Sequence, residues 1–237
     1  IVESSVRLMS RAVSEKVSHY YEVYHRERGV NLHLEDKVLS IEKKTNGNLS
    51  VLLEQGGEVL VDLIVVGIGV LPNQEIAEKS GIQCDNGILV DASCRTSDPH
   101  VFASGDCVNH QNDYLRGRVR LESVQNAVDQ AKIVANSMLG NSFRYDSVPW
   151  FWSDQYDKKL QMVGTSAGYD DVVLRGAVSS GSFSYFYFLG QQLLGVDSVN
   201  APLDHMLSRK ILQKKISVLP AQVASENFDL KEFVASR

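Results

Sequence analysis

Thr96-Ser97-Asp98-Pro99-His100-Val101-Phe102-Ala103-Ser104-Gly105-Asp106 is the stretch on which the reading of this sequence turns. A turn-forming run through Pro99 precedes Val101-Phe102-Ala103, which reads as a buried strand, and Gly105-Asp106 then turns the chain. A glycine there lets the backbone approach another group closely, and the short carboxylate beside it can accept a hydrogen bond from a hydroxyl. Taken alone, a Gly-Asp after a strand is an ordinary turn. Its neighbours on both sides change its meaning.

Upstream, Leu63-Ile64-Val65-Val66-Gly67-Ile68-Gly69 is apolar on both faces, as a strand sandwiched within a parallel sheet would be. Pro72 then opens a short helix that Gly81 ends, and Gly87-Ile88-Leu89-Val90-Asp91 reads as another buried strand. Downstream, the spacing predicts a helix over 122–139, with Val124, Ala127, Val128, Ala131, Val134, Ala135, Met138 and Leu139 on one broad apolar stripe and Gly140 closing it. The free amides and positive dipole end at its start could stabilise a negative charge.

Further outward, Ile1-Val2-Glu3 reads as the end of a buried strand, residues 9–28 as a helix stopped by Gly29, and Val30-Asn31-Leu32-His33-Leu34 as a second strand. Strand, helix, strand is half of a dinucleotide-binding unit. An acid at the place of Glu3 accepts a hydrogen bond from the adenosine ribose 2'-hydroxyl in such units and favours NADH over NADPH. Arg7 and Arg11 keep a 2'-phosphate in play. Residues 37–64 alternate in short runs separated by Asn46-Gly47 and Gly56-Gly57, the pattern of hairpins.

Near Ser147 the character shifts. Pro149-Trp150-Phe151-Trp152 holds both tryptophans, and short strands (160–163, 172–174, 183–189, 193–199) lead to a helix over 203–213. An antiparallel sheet with a covering helix follows, with boundaries that divide the chain into 1–66, 67–147 and 148–237.

Composition narrows the function classes. A net charge of -5 leaves no global basic field for nucleic acid, and the apolar run at 63–71 is about half of what spans a bilayer. Cys84, Cys94 and Cys107 form no CxxC, which suits a reduced, cytoplasmic protein. The six histidines form no HExxH or metal cluster, and there is no GxSxG. The opening Ile1-Val2-Glu3-Ser4-Ser5 resembles neither a signal peptide nor a natural beginning, so a piece of a longer chain is expected.

With the stretch Val148-Pro149-Trp150-Phe151-Trp152-Ser153-Asp154-Gln155-Tyr156, these segments strongly resemble the FAD-dependent ferredoxin reductases of oxygenase systems, in order and spacing over essentially the whole chain. Val163-Gly164, Gly168-Tyr169-Asp170 and Val173-Leu174-Arg175-Gly176 continue the likeness. The resemblance implies an α/β, two-dinucleotide-binding (glutathione-reductase-like) FAD/NAD fold followed by an α+β C-terminal domain. It implies that the Gly105-Asp106 turn binds FAD through its polar linker and that the Val124 backbone meets the isoalloxazine. Glu122 with Gly67, Ile68 and Gly69 would lie near the nicotinamide, Glu3 at the NAD ribose, and Trp152 by the flavin on the side approached by the partner. Lys132 would face a ferredoxin. Trp150 is expected in the core, and the cluster Arg209, Lys210, Lys214 and Lys215 as a solvated helix end, with ferredoxin docking as its alternative.

The reaction so implied takes hydride from NADH onto FAD and returns electrons one at a time to a small iron-sulfur ferredoxin or rubredoxin, in a monomer or homodimer. Neither N-terminal GxGxxG of the family is present, so the chain alone is expected to be catalytically silent. An NADH oxidase, a nitrite-reductase subunit or an apoptosis-inducing-factor type protein would share 66–106. Outside enzymes, a dimerisation or docking piece built on 148–237 is the alternative.

Overall fold

A computed structural model of the chain describes residues 1–45 and 47–237, and it falls into two compact units, Ile1–Gly69 and Val70–Arg237. Asn46 of the expected Asn46-Gly47 turn lies outside the described residues.

In the first unit β1 (Val2–Glu3) pairs in parallel with β2 (His33–Leu34), and α1 (Glu15–Arg26) lies between them in sequence. The helix begins later than the periodicity suggests. Met9 sits at φ 53, a left-handed conformation that no helix interior holds, and Ser14 caps the true start. Arg7 pins the intervening loop by donating to Val13 O (2.8 Å), Ser10 O (2.9 Å) and Ser18 Oγ (2.7 Å). Gly29, at φ 79, ends the helix, and the Val30 N–H returns to His25 O.

Ile1 is 55% and Val2 37% exposed, contrary to a buried strand, because among the described residues β1 pairs with β2 alone. β3 (Val38–Lys43), β4 (Leu49–Leu53) and β5 (Gly57–Val61) form the expected antiparallel meander, with Val51 and Leu53 turned inward. Asp36 locks it from below. Its buried carboxylate accepts the N–H groups of Gln55 (3.0 Å), Gly56 (2.8 Å) and Lys37 (2.8 Å). Burial alone would raise its pKa, but these donors hold it below the usual carboxylate value. A side chain at Gly56 would meet His33 Nδ1 at 2.8 Å, so the close approach needs glycine.

Residues 63–69 are not the sandwiched strand that their apolarity predicts. No described strand pairs with them, and Val65 and Ile68 are 87% and 92% exposed. Hydrophobicity on both faces signals burial only where ladder partners exist to supply it.

The second unit opens with α2 (Glu75–Lys79), shorter than the 72–81 expected, and β6 (Ile88–Leu89). The expected buried strand at 101–106 reduces to one bridge, Phe102 to Arg95; the strand proper comes after the Gly-Asp turn as β7 (Val108–Asn112). β7 pairs in parallel with β6 and antiparallel with β8 (Gly117–Arg120), a hairpin the sequence reading missed. α3 (Val124–Met138) follows, capped by Ser123, whose Oγ accepts the Asn126 N–H.

The remainder is the expected antiparallel sheet, in which β9 (Trp150–Gln155), not among the strands read from the sequence, joins the expected β10 (Lys158–Gly164), β11 (Asp171–Ala177), β12 (Ser182–Leu189) and β13 (Gln192–Val199) in the order β11-β12-β13-β10-β9. α4 (Pro202–Gln213), α5 (Pro220–Ala224) and α6 (Leu230–Ala235) cover it. Val163, Phe186, Phe188 and Val196 from the sheet meet Leu207, Ile211, Val223, Leu230 and Val234 in one core cluster. Arg175 of β11 fastens the cover, bonding Phe228 O at 3.1 Å and pairing with Asp204 at 3.5 Å. Among the described residues, no helix is long and apolar enough to cross a membrane.

Candidate functional site

The Gly105-Asp106 turn is built from α3. That helix does not bury its apolar stripe: Val124 (62%), Val128 (47%), Met138 (64%) and Leu139 (79%) are exposed, whereas Gln125, Asn126, Gln130 and Ser137 are buried. The periodicity is that of a helix, but the side facing inward is the amide-bearing one. Each buried amide has a task. Gln130 Oε1 accepts the Gly105 N–H at 2.8 Å, Asn126 Nδ2 donates to Leu121 O at 3.1 Å, and Asn126 Oδ1 accepts from the Tyr145 hydroxyl at 2.9 Å. Gln130 Nε2 meets His110 Nδ1 at 3.2 Å. Burial, with the Arg118 charge adding to it, pushes His110 down to about 4, so the ring is neutral at ordinary pH.

Gly105 adopts φ 89, and its carbonyl accepts the Val108 N–H at 3.1 Å, which makes Asp106 and Cys107 the central pair of a tight turn. Among the described residues, neither of their N–H groups has an acceptor, and the exposed Asp106 carboxylate has no hydrogen bond or ion pair. The turn therefore offers two donors and one acceptor outward. It borders an open cleft of about 380 Å³ lined by residues 70–73, Asp106, Cys107 and Arg120.

Arg120, which the sequence reading passed over, ties this cleft together. Its guanidinium reaches Glu122 Oε1 (2.7 Å), Asp106 O (3.0 Å) and Val70 O (3.4 Å). The available signal was a basic residue at the end of an alternating Arg118-Val119-Arg120 run, two positions before an acid. Glu122 is thus held just ahead of the α3 N-terminus, where the Val124 and Gln125 amides stand in the first turn without acceptors among the described residues. The donor set suits a ligand carrying hydroxyls and a diffuse negative charge.

Trp152 is 43% exposed and lies 5.5 Å from Trp150, centroid to centroid, at 33°. Trp150 is half-buried, under the Arg209 guanidinium at 4.3 Å and against His205 at 5.8 Å. His205, too, is pushed to about 4 by burial, then by Arg209. Lys132 is on the surface and pairs with Asp129 at 3.4 Å.

Glu3, Gly67, Ile68 and Gly69 belong to the first unit, and Gly105, Asp106, Glu122, Val124 and Trp152 to the second. Glu3 Oε1 accepts the Ser5 N–H at 2.7 Å. Arg7 is committed to its own loop, so of the two arginines in question Arg11 alone stands clear of it. Gly69 has φ 102, and a side chain there would come within 3.8 Å of the Arg11 guanidinium.

Comparison with known proteins places this geometry. Residues 1–131 match the family model described as pyridine nucleotide-disulphide oxidoreductase, and residues 150–234 match that described as reductase C-terminal. The chain is 48% identical over 235 residues to rhodocoxin reductase of Rhodococcus erythropolis, covering 99% of itself and 55% of that protein. It is 38% identical over 238 residues to putidaredoxin reductase of Pseudomonas putida, at 100% and 56% coverage. Among solved structures, the ferredoxin reductase for the CYP199A2 system of Rhodopseudomonas palustris superposes with a TM-score of 0.93 at 43% identity, over 98% of this chain and 58% of that one. The chain thus spans a little over half the length of these relatives.

Proposed function

The chain belongs to the pyridine nucleotide-disulphide oxidoreductases, and from that membership we propose that it serves NADH-dependent electron transfer, through FAD, to a small iron-sulfur ferredoxin feeding an oxygenase. FAD, when bound, supplies the conversion between the two electrons of NADH and the single electrons an iron-sulfur acceptor takes. The observation that carries the reading is the open turn at Gly105-Asp106, with its unpaired carboxylate and two unaccepted N–H groups beside the α3 N-terminus.

In this reading Asp106 accepts hydrogen bonds from the polyol linker, and the Asp106 and Cys107 amides donate to its oxygens. The Val124 and Gln125 amides stabilise negative charge on the pyrimidine edge of the ring system, and Arg120 keeps Glu122 beside it. Gly67, Ile68 and Gly69 leave the nicotinamide room against backbone. Glu3, with one carboxylate oxygen still open, takes the ribose hydroxyl and so favours NADH, with Arg7 engaged elsewhere and Arg11 the arginine left to receive a 2'-phosphate. Trp152 stands by the flavin where the partner docks, a placement favoured by its exposure beside Trp150. The complex of putidaredoxin reductase with putidaredoxin among the similar structures supports a small iron-sulfur ferredoxin as partner, and the likeness to a rubredoxin-NAD(+) reductase, at 34% identity, keeps a rubredoxin as its alternative. We carry the division 1–66, 67–147 and 148–237, the cytoplasmic location and the monomer or homodimer as parts of the same reading.

The test compares this chain alone with a chimera that adds the part of rhodocoxin reductase outside the matched region. The chimera is expected to bind FAD and to reduce both ferricyanide and a ferredoxin with NADH, and the chain alone to do neither at a measurable rate. A correctly folded, flavin-loaded chimera that oxidises no NADH would overturn the proposal.

A further inference from the structure

The buried face of α3 contains a linkage whose direction can be worked out atom by atom. A backbone N–H can only donate, so the Gly105 contact at 2.8 Å assigns the Gln130 atom facing it as Oε1. Its Nε2, which can only donate, then faces His110 Nδ1 at 3.2 Å. That nitrogen must accept, so the imidazole proton sits on Nε2. Gln130 is fully buried and His110 is 2% exposed, so no solvent competes for either contact. The Tyr145 ring closes over the imidazole at 5.1 Å in a T-shaped arrangement. Gly105 in the turn, Gln130 on α3 and His110 on β7 thus share one fixed polarity, starting from a backbone amide of the site turn.

We propose that Gln130 is a positioning residue which, braced by His110, draws the Gly105 amide inward and so leaves Asp106 N–H, Cys107 N–H and the Asp106 carboxylate to face a hydroxyl-rich ligand. This rests on the flavin reading of the turn, and its direct marks are in the protein itself. If the Gly105 amide were released, the turn could rotate about its left-handed glycine, and the outward donors and carboxylate would lose their common direction. The titratable groups near this network are His110 itself, Arg118 on β8, Tyr145 before β9 and, around Tyr145, Asp129 and Cys94; burial foremost pushes Tyr145 up to about 12, so it stays a neutral donor to Asn126.

The experiment uses the 237-residue chain labelled with 15N-glycine and ring-15N histidine, in wild type, Gln130→Met, His110→Phe and the exposed-face control Ala131→Ser. Amide exchange at Gly105 and the His110 ring nitrogen shifts are read on the chain, and FAD affinity by flavin fluorescence on the chimera carrying the same substitutions. Gln130→Met keeps the length and apolar volume but can neither accept nor donate. It is expected to speed Gly105 exchange about tenfold or more, to abolish the single Nε2–H tautomer of His110, and to weaken FAD binding by a similar factor, with Ala131→Ser unchanged.

His110→Phe keeps the Gly105 bond but removes its brace, and is expected to show a smaller increase in exchange. It also carries the test should Gln130→Met not fold. Exchange and tautomer that respond as expected while even the unsubstituted chimera binds no FAD would uphold the placement of the turn by Gln130 and overturn the flavin reading. Exchange at Gly105 that neither folded variant alters, or an Nδ1–H tautomer in the wild type, would overturn the proposal.

Discussion

The two halves of the second unit solve opposite problems. The five-stranded sheet with α4, α5 and α6 buries aliphatic and aromatic side chains in one continuous cluster, whereas α3 and the turn it holds bury carboxamides and leave Val124, Val128, Met138 and Leu139 outward. Sequence periodicity is equally clear in both. The contrast shows that periodicity identifies the residues sharing a face but not which face a neighbour covers. Amides satisfied by specific partners can be the buried side when they have a backbone to position.

The largest effect should separate the two halves by stability. Phe186→Ala or Ile211→Ala removes a side chain at the centre of the sheet cluster and is expected to cost about 2–5 kcal/mol in urea unfolding followed by tryptophan fluorescence. Equal sensitivity at the α3 face would break the contrast.

Protonation should act on both halves at once. His110 and His205 lie near 4 in the folded chain against 6.5 for the free side chain, so between those values the unfolded state binds more protons. Stability is then fully present above about pH 6.5 and falls as pH drops towards 4, by up to about 3 kcal/mol for each histidine. Thermal midpoints of wild type, His110→Phe and His205→Phe from pH 7 to 4 check this. Each substitution should flatten the profile, and an unchanged slope in both would count against buried neutral rings.

Three smaller tests refine the comparison. Gly195 faces Thr165 N at 2.5 Å and Val163 O at 2.7 Å from where a Cβ would stand, so Gly195→Ala should force β13 from β10 and cost about 1–3 kcal/mol by chemical unfolding. Ser123→Ala removes the α3 cap and should cost about 1 kcal/mol, with greater exchange at the Asn126 amide. At the foot of the scale, Val128→Ala on the exposed face should change stability by no more than about 0.5 kcal/mol.

How far the sequence could be read follows the same line. The strands from 171 to 199 and α4 were legible because β11, β12 and β13 pair in sequence order across short turns, so each apolar run and its cover lie close together in the chain; the pairing of β10 with β13 had no such local pattern. The Gly105-Asp106 turn was legible because glycine chemistry is local, whereas α3 was read two residues early, since Glu122 stands ahead of the Ser123 cap. Strand assignments at 63–69 and 101–106 failed because strand formation depends on partners that a run of valines cannot specify. Arg120 and Gln130 escaped because each works at a distance: Arg120 reaches back 50 residues to Val70 O, and Gln130 back 25 to Gly105 N. Neither spacing has a local pattern.

Arg120 also has a kinetic consequence. Because one guanidinium holds the Val70 carbonyl, the Asp106 carbonyl and the Glu122 carboxylate, the three segments cannot open independently; releasing any of them leaves a donor of the same cation unsatisfied. The floor of the cleft, its turn and the approach to α3 therefore form one cooperative opening unit, and their amides should share a single exchange rate and respond together to denaturant well below the global transition.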